Sequence, residues 1–319
     1  MDYLRTAFSS LQSPKRTITV TALYIYPVKG CRGIAVTSRR TNKNGFEYDR
    51  YWMVVDDENN FLSQRNAPKM AIITPRFEVN DNGDDISELV LSAKGVENEL
   101  RLPLDVKNSL ESNDKLEVNI WDDVVPAYDC GKTASTWISS CLGISAKLVV
   151  KPDEYVRSVT RNLPSPNELV YQPQVVFADA FPFLLISEES LADLNSRLDS
   201  PVTMRNFRPN IVVKGCNAPY EEDTWKKIVI GEDKENIFYI TCRSIRCTVP
   251  NVNPDTGERN GIQPLKTLMS YRRVDKGAIY KACFGMNALH SKPGTLISVG
   301  DRVEIISTGE HMREPYKKD

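Results

Sequence analysis

The chain has 319 residues, 41% of them apolar and 26% charged, an ordinary globular balance with enough length for two cores. Forty-one Lys and Arg against 42 Asp and Glu leave a net charge of -1, which excludes non-specific nucleic-acid backbone binding as a main role. Apolar runs stop at about six residues, as in Phe181–Ile186, far short of the roughly 20 that span a bilayer, so no transmembrane segment is expected.

The first 16 residues, MDYLRTAFSSLQSPKR, lack a long apolar core and read as a disordered leader rather than a secretory signal, with a faint likeness to a mitochondrial presequence. Alternation over Thr17–Tyr26 predicts a strand with both faces partly covered, and Tyr51–Val55 and Met70–Ile73 read as further strands. Asn82-Gly83 signals a turn between Phe77–Val79 and Leu89–Leu91. Ala134, Trp137, Ile138, Cys141 and Leu142 form one helical stripe, which Gly143 is placed to end. Residues 151–176, polar and carrying four prolines, read as the linker between a first domain at 17–150 and a second at 177–308, with 309–319 as a tail.

The second block opens on a buried strand, Phe181–Ile186. Ser187 then caps a helix with Glu188 and Glu189 in its first turn and Leu191, Leu194 and Leu198 inward. Strands follow at Ile211–Val213, Ile228–Ile230, Ile237–Thr241 and Val303–Ile306, while Glu221-Glu222-Asp223 reads as a solvated acidic loop. The fold class is therefore α+β and β-rich, two halves each with a helix or two.

Several chemistries fail on spacing. Seven cysteines without a CxxC pair do not make a disulfide framework and point to a reducing compartment, and two histidines cannot supply a His-rich metal site. Gly131-Lys132-Thr133 ends like a phosphate-binding loop, but Pro126 stands where its leading glycine is needed. No GxGxxG or GxSxG occurs.

What survives is Arg243-Ser244-Ile245-Arg246-Cys247, where a strand ending at Cys242 runs into a loop holding one cysteine beside arginine. One reading is an incidental free thiol; the other is a thiolate in a cationic setting, suited to a soft transition metal or to nucleophilic work.

Four strings in order decide between them: Tyr24-Ile25-Tyr26-Pro27-Val28-Lys29-Gly30-Cys31, Tyr48-Asp49-Arg50-Tyr51-Trp52, Asn206-Phe207-Arg208-Pro209-Asn210, and the Cys247 loop with its Pro254-Asp255-Thr256-Gly257 turn. This set resembles the MOSC family, and within it the mitochondrial amidoxime reducing component group, from about Thr19 to Ile306. The resemblance implies an N-terminal β-barrel-like domain and a C-terminal MOSC β-barrel, with molybdenum cofactor (Mo-molybdopterin) between them. It implies Cys247 as the metal ligand and Lys29, Arg50, Arg208 and Arg246 around the cofactor, the arginine fork suiting phosphate or pterin oxygens. Gly30 and Ile245 stand where family members often carry Ser, so the cofactor contacts implied there come from backbone; Asn287 is shared with some relatives, and Asp179 matches a catalytic acid near the metal, implied to orient substrate or move a proton.

The implied activity is two-electron reduction of N-hydroxylated compounds (amidoximes, N-hydroxylamines, hydroxamic acids); the alternative is a cofactor carrier or sulfuration module without reductase activity. No cluster, haem or dinucleotide motif is present to supply electrons, so the resemblance points to cytochrome b5 and NADH-cytochrome b5 reductase as external donors, with Arg272, Arg273 and Lys276 as a candidate docking patch. The expected location is cytoplasmic, the mitochondrion being the alternative.

Overall fold

The computed structural model describes residues 17–80, 86–104, 115–152, 155 and 157–314. The leader lies outside these residues, as does the Asn82-Gly83 turn. In chain order the strands that position the site are β1 (Ile18–Ile25), β2 (Ile34–Val36), β3 (Trp52–Val55), β4 (Thr74–Val79), β5 (Ile86–Ser92), β6 (Leu100–Pro103), β7 (Lys115–Ile120), β8 (Asp123–Asp129) and β9 (Lys147–Val150). After these come β10 (Phe183–Ser187), β11 (Ile211–Lys214), β12 (Trp225–Ile230), β13 (Ile237–Ile245), β14 (Cys283–His290) and β15 (Arg302–Thr308). The helices are α1 (Lys132–Leu142), α2 (Glu188–Asn195), α3 (Met204–Phe207) and α4 (Leu265–Tyr271).

Seven strands close a barrel in the order β11-β10-β14-β13-β12-β15-β1, with β1 pairing back onto β11 and β2 added outside β1. Closure leaves no free edge among the seven. All its pairings are antiparallel except β10–β11. The first strand of the chain thus belongs to the barrel of the second half. The first half contributes a four-stranded sheet, β3-β9-β8-β7, and a meander β4-β5-β6 that pairs the two strands expected on either side of Asn82-Gly83. The β-rich class and the C-terminal barrel are as the sequence implied.

Each barrel strand sorts its side chains by pleat. In β10, Phe183 and Leu185 enter the barrel core beside Phe238, Met286 and Trp225, while Leu184 and Ile186 face outward under Leu194, Phe207 and Leu268 of the helices. This explains an apolar run with no alternation: both faces are covered. Ser187 caps α2 through Ser190 N–H at 3.1 Å, and α1 ends at Gly143 in the left-handed region, both as expected.

Met70–Ile73 is not a strand. Pro68–Ile72 forms a 3-10 turn, with Pro68 in its first turn and Met70 and Ile73 buried three residues apart. A short apolar run carries no period long enough to separate the two, and Pro68 favours the helical start. Strand β13 also runs on past Cys242 to Ile245, through register shifts at Ile240/Cys242 and Arg243/Ile245. Bulges of this kind re-aim a strand end, and here the bulged end delivers Arg246 and Cys247. Within 151–176 the described residues form a two-stranded ladder, Arg157–Ser158 against Gln174–Val175.

Candidate functional site

A cleft of about 490 Å³ opens between the first-half sheet and the barrel. Every catalytic or cofactor-binding residue expected from the resemblance lines it: Lys29, Gly30, Arg50, Asp179, Arg208, Ile245, Arg246, Cys247 and Asn287. They come from six separate places in the chain, so only the tertiary fold brings them together.

Lys29 and Gly30 sit on the turn after β1, held by the Lys29 N–H to the Trp52 carbonyl at 2.8 Å. Gly30 has φ of 86°, and a Cβ there would stand 2.7 Å from Met70 Cε, so a side chain at this position would be strained and crowded. Arg50 and Arg208 also adopt left-handed backbone, at φ of 53° and 60°. Two bulky residues in that region, both lining one cleft, are the kind of strain that gathers at working sites. Arg208 ends α3, whose Thr203–Asn206 capping box and Pro209 fix the turn.

Tyr26 organises the two arginines. Its ring centroid lies 4.6 Å from the Arg50 guanidinium and 4.3 Å from that of Arg208, and its hydroxyl donates to the Pro209 carbonyl at 3.0 Å. Burial pushes the Tyr26 phenol up, so it stays neutral under the cations. Below it Asp49, 3% exposed, accepts from Tyr26 N–H at 2.7 Å and Asn210 Nδ2 at 3.2 Å and pairs with Arg50. Arg208 donates to the Cys31 carbonyl at 2.5 Å and has no carboxylate partner among the described residues; burial lowers its guanidinium from the ordinary value.

Lys29 is buried and pairs with Asp179, whose side chain is 68% exposed at the cleft mouth. Burial lowers the Lys29 ammonium, Asp179 opposing. At Asp179, desolvation works to raise the carboxyl, but the Lys29 charge and the hydrogen bonds from Lys29 and Trp121 Nε1 (3.1 Å) hold it well below the carboxylate range. Asp179 is therefore ionised at neutral pH.

Cys247 is the one exposed cysteine of the seven. Arg246 precedes it and donates to the Phe207 carbonyl at 2.8 Å and Ser244 Oγ at 3.0 Å, while its buried Nε has no partner among the described residues. Burial lowers the Arg246 guanidinium, with the Cys247 and Asp179 charges opposing. Asn287 on β14 faces Cys242 and donates to its Sγ at 3.4 Å.

The Pro254-Asp255-Thr256-Gly257 turn lies outside the cleft lining and acts as a clasp. Asp255 takes both Arg205 (2.7 Å) and Arg32 (2.8 Å), tying the Cys247 loop to α3 and to the turn after β1. Asp49, Asn210 and Tyr26 stood inside the quoted strings, but nothing in their spacing marked them as supports for Arg50 and Arg208. Trp121 and Arg65, which also line the cleft, carried no sequence signal.

Two expectations fail. Glu221-Glu222-Asp223 is not a solvated loop: Glu222 is fully buried under Ser187 and Ser190 hydroxyls at 2.8 and 2.7 Å, and Asp223 pairs with Arg243 and Arg272. Arg272 is accordingly 6% exposed, stacked on Tyr220 at 3.9 Å, and cannot belong to a docking patch; Arg273 and Lys276 are exposed. An isolated charge run looks alike in sequence whether water or a buried counter-charge compensates it.

A closed barrel and a second β-rich half with a cation-lined cleft between them define a two-part site suited to a large anionic group. The MOSC N-terminal beta barrel domain matches residues 17–145 and the MOSC domain residues 172–304, so the chain belongs to the MOSC family. It is 36% identical over 299 residues to mitochondrial amidoxime-reducing component 1 of Mus musculus, covering 90% of this chain and 82% of that protein. It is likewise 35% identical to component 1 of Homo sapiens (90% and 83% covered) and 35% to component 2 of Bos taurus (89% and 82%). Among the described residues no helix is long and apolar enough to cross a membrane.

Proposed function

We propose that this chain is a molybdenum-cofactor-dependent reductase of N-hydroxylated compounds, with Cys247 as the protein ligand of the metal. The observation that carries the reading is the convergence of the expected cofactor-binding and catalytic residues on one cleft. The names of the relatives, amidoxime-reducing components, support the reaction class.

The donors suit a large anionic group. Lys29, Arg50, Arg208 and Arg246 line the cleft, and the buried Arg246 Nε has no hydrogen-bond partner among the described residues. An anion with several acceptor oxygens, such as the phosphate and pterin of molybdopterin, would satisfy them. Among the described residues no three His, Cys, Asp or Glu are grouped as a metal cage. A single exposed cysteine sulfur fits a metal whose remaining sulfur ligands arrive with the cofactor.

The cofactor supplies two-electron redox chemistry when bound. Overall, the N–O bond of an amidoxime breaks as two electrons and two protons enter, giving the amidine and water. Arg208 and Arg50, fixed by Tyr26 and Asp49, would hold the cofactor, with backbone at Gly30 and Ile245 contributing. Asp179, being ionised, orients Lys29 and Trp121 and accepts a hydrogen bond from substrate rather than delivering a proton. Asn287 lines the same cleft from β14, its amide held by Cys242 Sγ.

Electrons come from an external carrier, cytochrome b5 with its NADH-dependent reductase, docking at exposed charges that exclude Arg272. The names of the relatives favour the mitochondrial alternative over the cytosol.

The test is metal analysis of the purified protein together with benzamidoxime reduction in an assay containing NADH, cytochrome b5 and its reductase. Molybdenum in near-equal ratio with benzamidine formation supports the proposal. Bound molybdenum without turnover favours the carrier reading, and protein expressed in a cofactor-producing host that holds none overturns both.

A further inference from the structure

A second cleft of about 580 Å³ opens beside the first and shares with it Trp121, Asp122, Asp179, Ala180, Phe181 and Arg313. Trp121 and Asp122 stand at the tip joining β7 to β8, between the two openings. Trp121 is 45% exposed and opens the two-residue turn between β7 and β8, a tight hairpin that sets its φ of 58° and leaves the ring to be oriented by its surroundings.

Those surroundings are specific. The indole Nε1 donates to Asp179 Oδ1 at 3.1 Å, the Arg65 guanidinium lies 4.2 Å from the ring centroid, and the Phe61 ring sits 5.1 Å away at 52°. A tryptophan that merely plugged a gap would be buried. This one is pinned on its polar edge and stacked by Arg65, yet leaves nearly half its surface open to both clefts. That is a rigid aromatic wall, with the ring's orientation settled before anything binds.

Asp122 beside it is exposed and has no ion-pair partner among the described residues. Its neighbours differ: Asp123 is held by Arg157 and Asp179 by Lys29. The tip thus offers one fixed aromatic face and one uncommitted carboxylate.

We infer that Trp121 and Asp122 form the binding surface for the organic body of the substrate, a flat conjugated amidine- or guanidine-type group whose N–O end reaches the first cleft while its body rests in the second. The inference rests on the reductase reading and names the substrate contacts of that same site. Reduction turns a weakly basic amidoxime into a strongly basic amidine, so the site must hold a planar neutral group and then a planar cation. An indole face accepts both by stacking and cation–π attraction, and a nearby carboxylate favours the cation.

The experiment measures binding of benzamidine and of neutral benzamide to the full cofactor-loaded protein by calorimetry, which needs no turnover, alongside steady-state reduction of benzamidoxime. Trp121→Ala should weaken benzamidine at least about tenfold, with Trp121→Phe between it and wild type, as expected for one desolvated aromatic contact. Asp122→Asn, nearly isosteric and on the surface, should weaken benzamidine several-fold and leave benzamide within twofold. In turnover, KM for benzamidoxime should rise more than kcat falls in Trp121→Ala. Benzamidine affinity within twofold of wild type in both Trp121→Ala and Asp122→Asn would overturn the inference. Wild-type benzamidine binding lost in these variants, in a protein that reduces no amidoxime, would instead reject the reductase reading and leave the binding surface standing.

Discussion

Asp49 is the structural keystone of the cation cluster, and Asp49→Ala is the perturbation that tests it. The carboxylate is 3% exposed and joins three elements: the Tyr26 N–H after β1, Arg50 next in sequence, and Asn210 at the start of β11. Asn210 in turn accepts from Arg50 Nη1 at 3.1 Å and from Leu184 N–H at 3.3 Å, so Asp49 also steadies the entry to β10. Alanine leaves the Tyr26 N–H without its acceptor and removes the counter-charge of an arginine whose side chain is only 14% exposed. Removing one partner of a buried pair costs about 3–5 kcal/mol. At about 2.1 cal/mol/K of unfolding entropy per residue, that corresponds to a fall in Tm of roughly 4–8 °C for a chain of this length. Asp49→Asn keeps an acceptor for Tyr26 N–H and should lose roughly half as much. Thermal melts by circular dichroism read the stability, and cofactor content after gel filtration reads whether Arg50 has moved. An Asp49→Ala protein melting within about 1 °C of wild type would refute the reasoning, since the carboxylate would then carry no charge compensation.

Cys247→Ser should leave stability within about 0.5 kcal/mol, because the residue is exposed, yet abolish benzamidoxime reduction; retained turnover would rule out a thiolate ligand. Gly277→Ala should loosen the segment after β15, since a Cβ there would stand 1.8 Å from the Arg313 carbonyl; a loss of about 1–3 kcal/mol and new tryptic cleavage after Arg313 are expected, and an unchanged digest would contradict it. Burial raises the Glu222 carboxyl above its ordinary value of 4.5 against the hydrogen bonds from Ser190 and Ser187. A raised folded-state value means that its stabilisation is full below about pH 4.5 and is lost as pH rises through the raised value, so wild type should lose ground to Glu222→Gln as pH rises above about 4.5 in urea unfolding; a pH-independent difference would exclude it.

Local patterns in the chain were enough to specify most elements. The stripe of Ala134, Trp137, Ile138 and Leu142 with Gly143 at its end, and Ser187 before Glu188 and Glu189, depend on neighbours within a few residues, and both formed as read. Motif strings carried Lys29, Arg50, Arg208 and Cys247 because each is embedded in an ordered run with a turn or proline beside it. Long-range compensation was invisible. Nothing near Glu222 in sequence announces Ser187 and Ser190, and nothing near Arg272 announces Asp223, so both read as solvated charges until the fold buried them together. The same holds for the end of the chain: His311 and Arg313 looked like tail, but His311 is buried against the Trp225 and Thr241 carbonyls, and the Arg313 N–H donates to Asp275 at 2.9 Å. Membership of β1 in the barrel was hidden for the same reason, since alternation identifies a strand but not its partner. Residue type and short spacing determine which segments are helix or strand and which side chains can do chemistry. Only closure of the barrel determines which of those side chains face one another, because hydrogen-bond partners and counter-charges are set by distance in space, not along the chain.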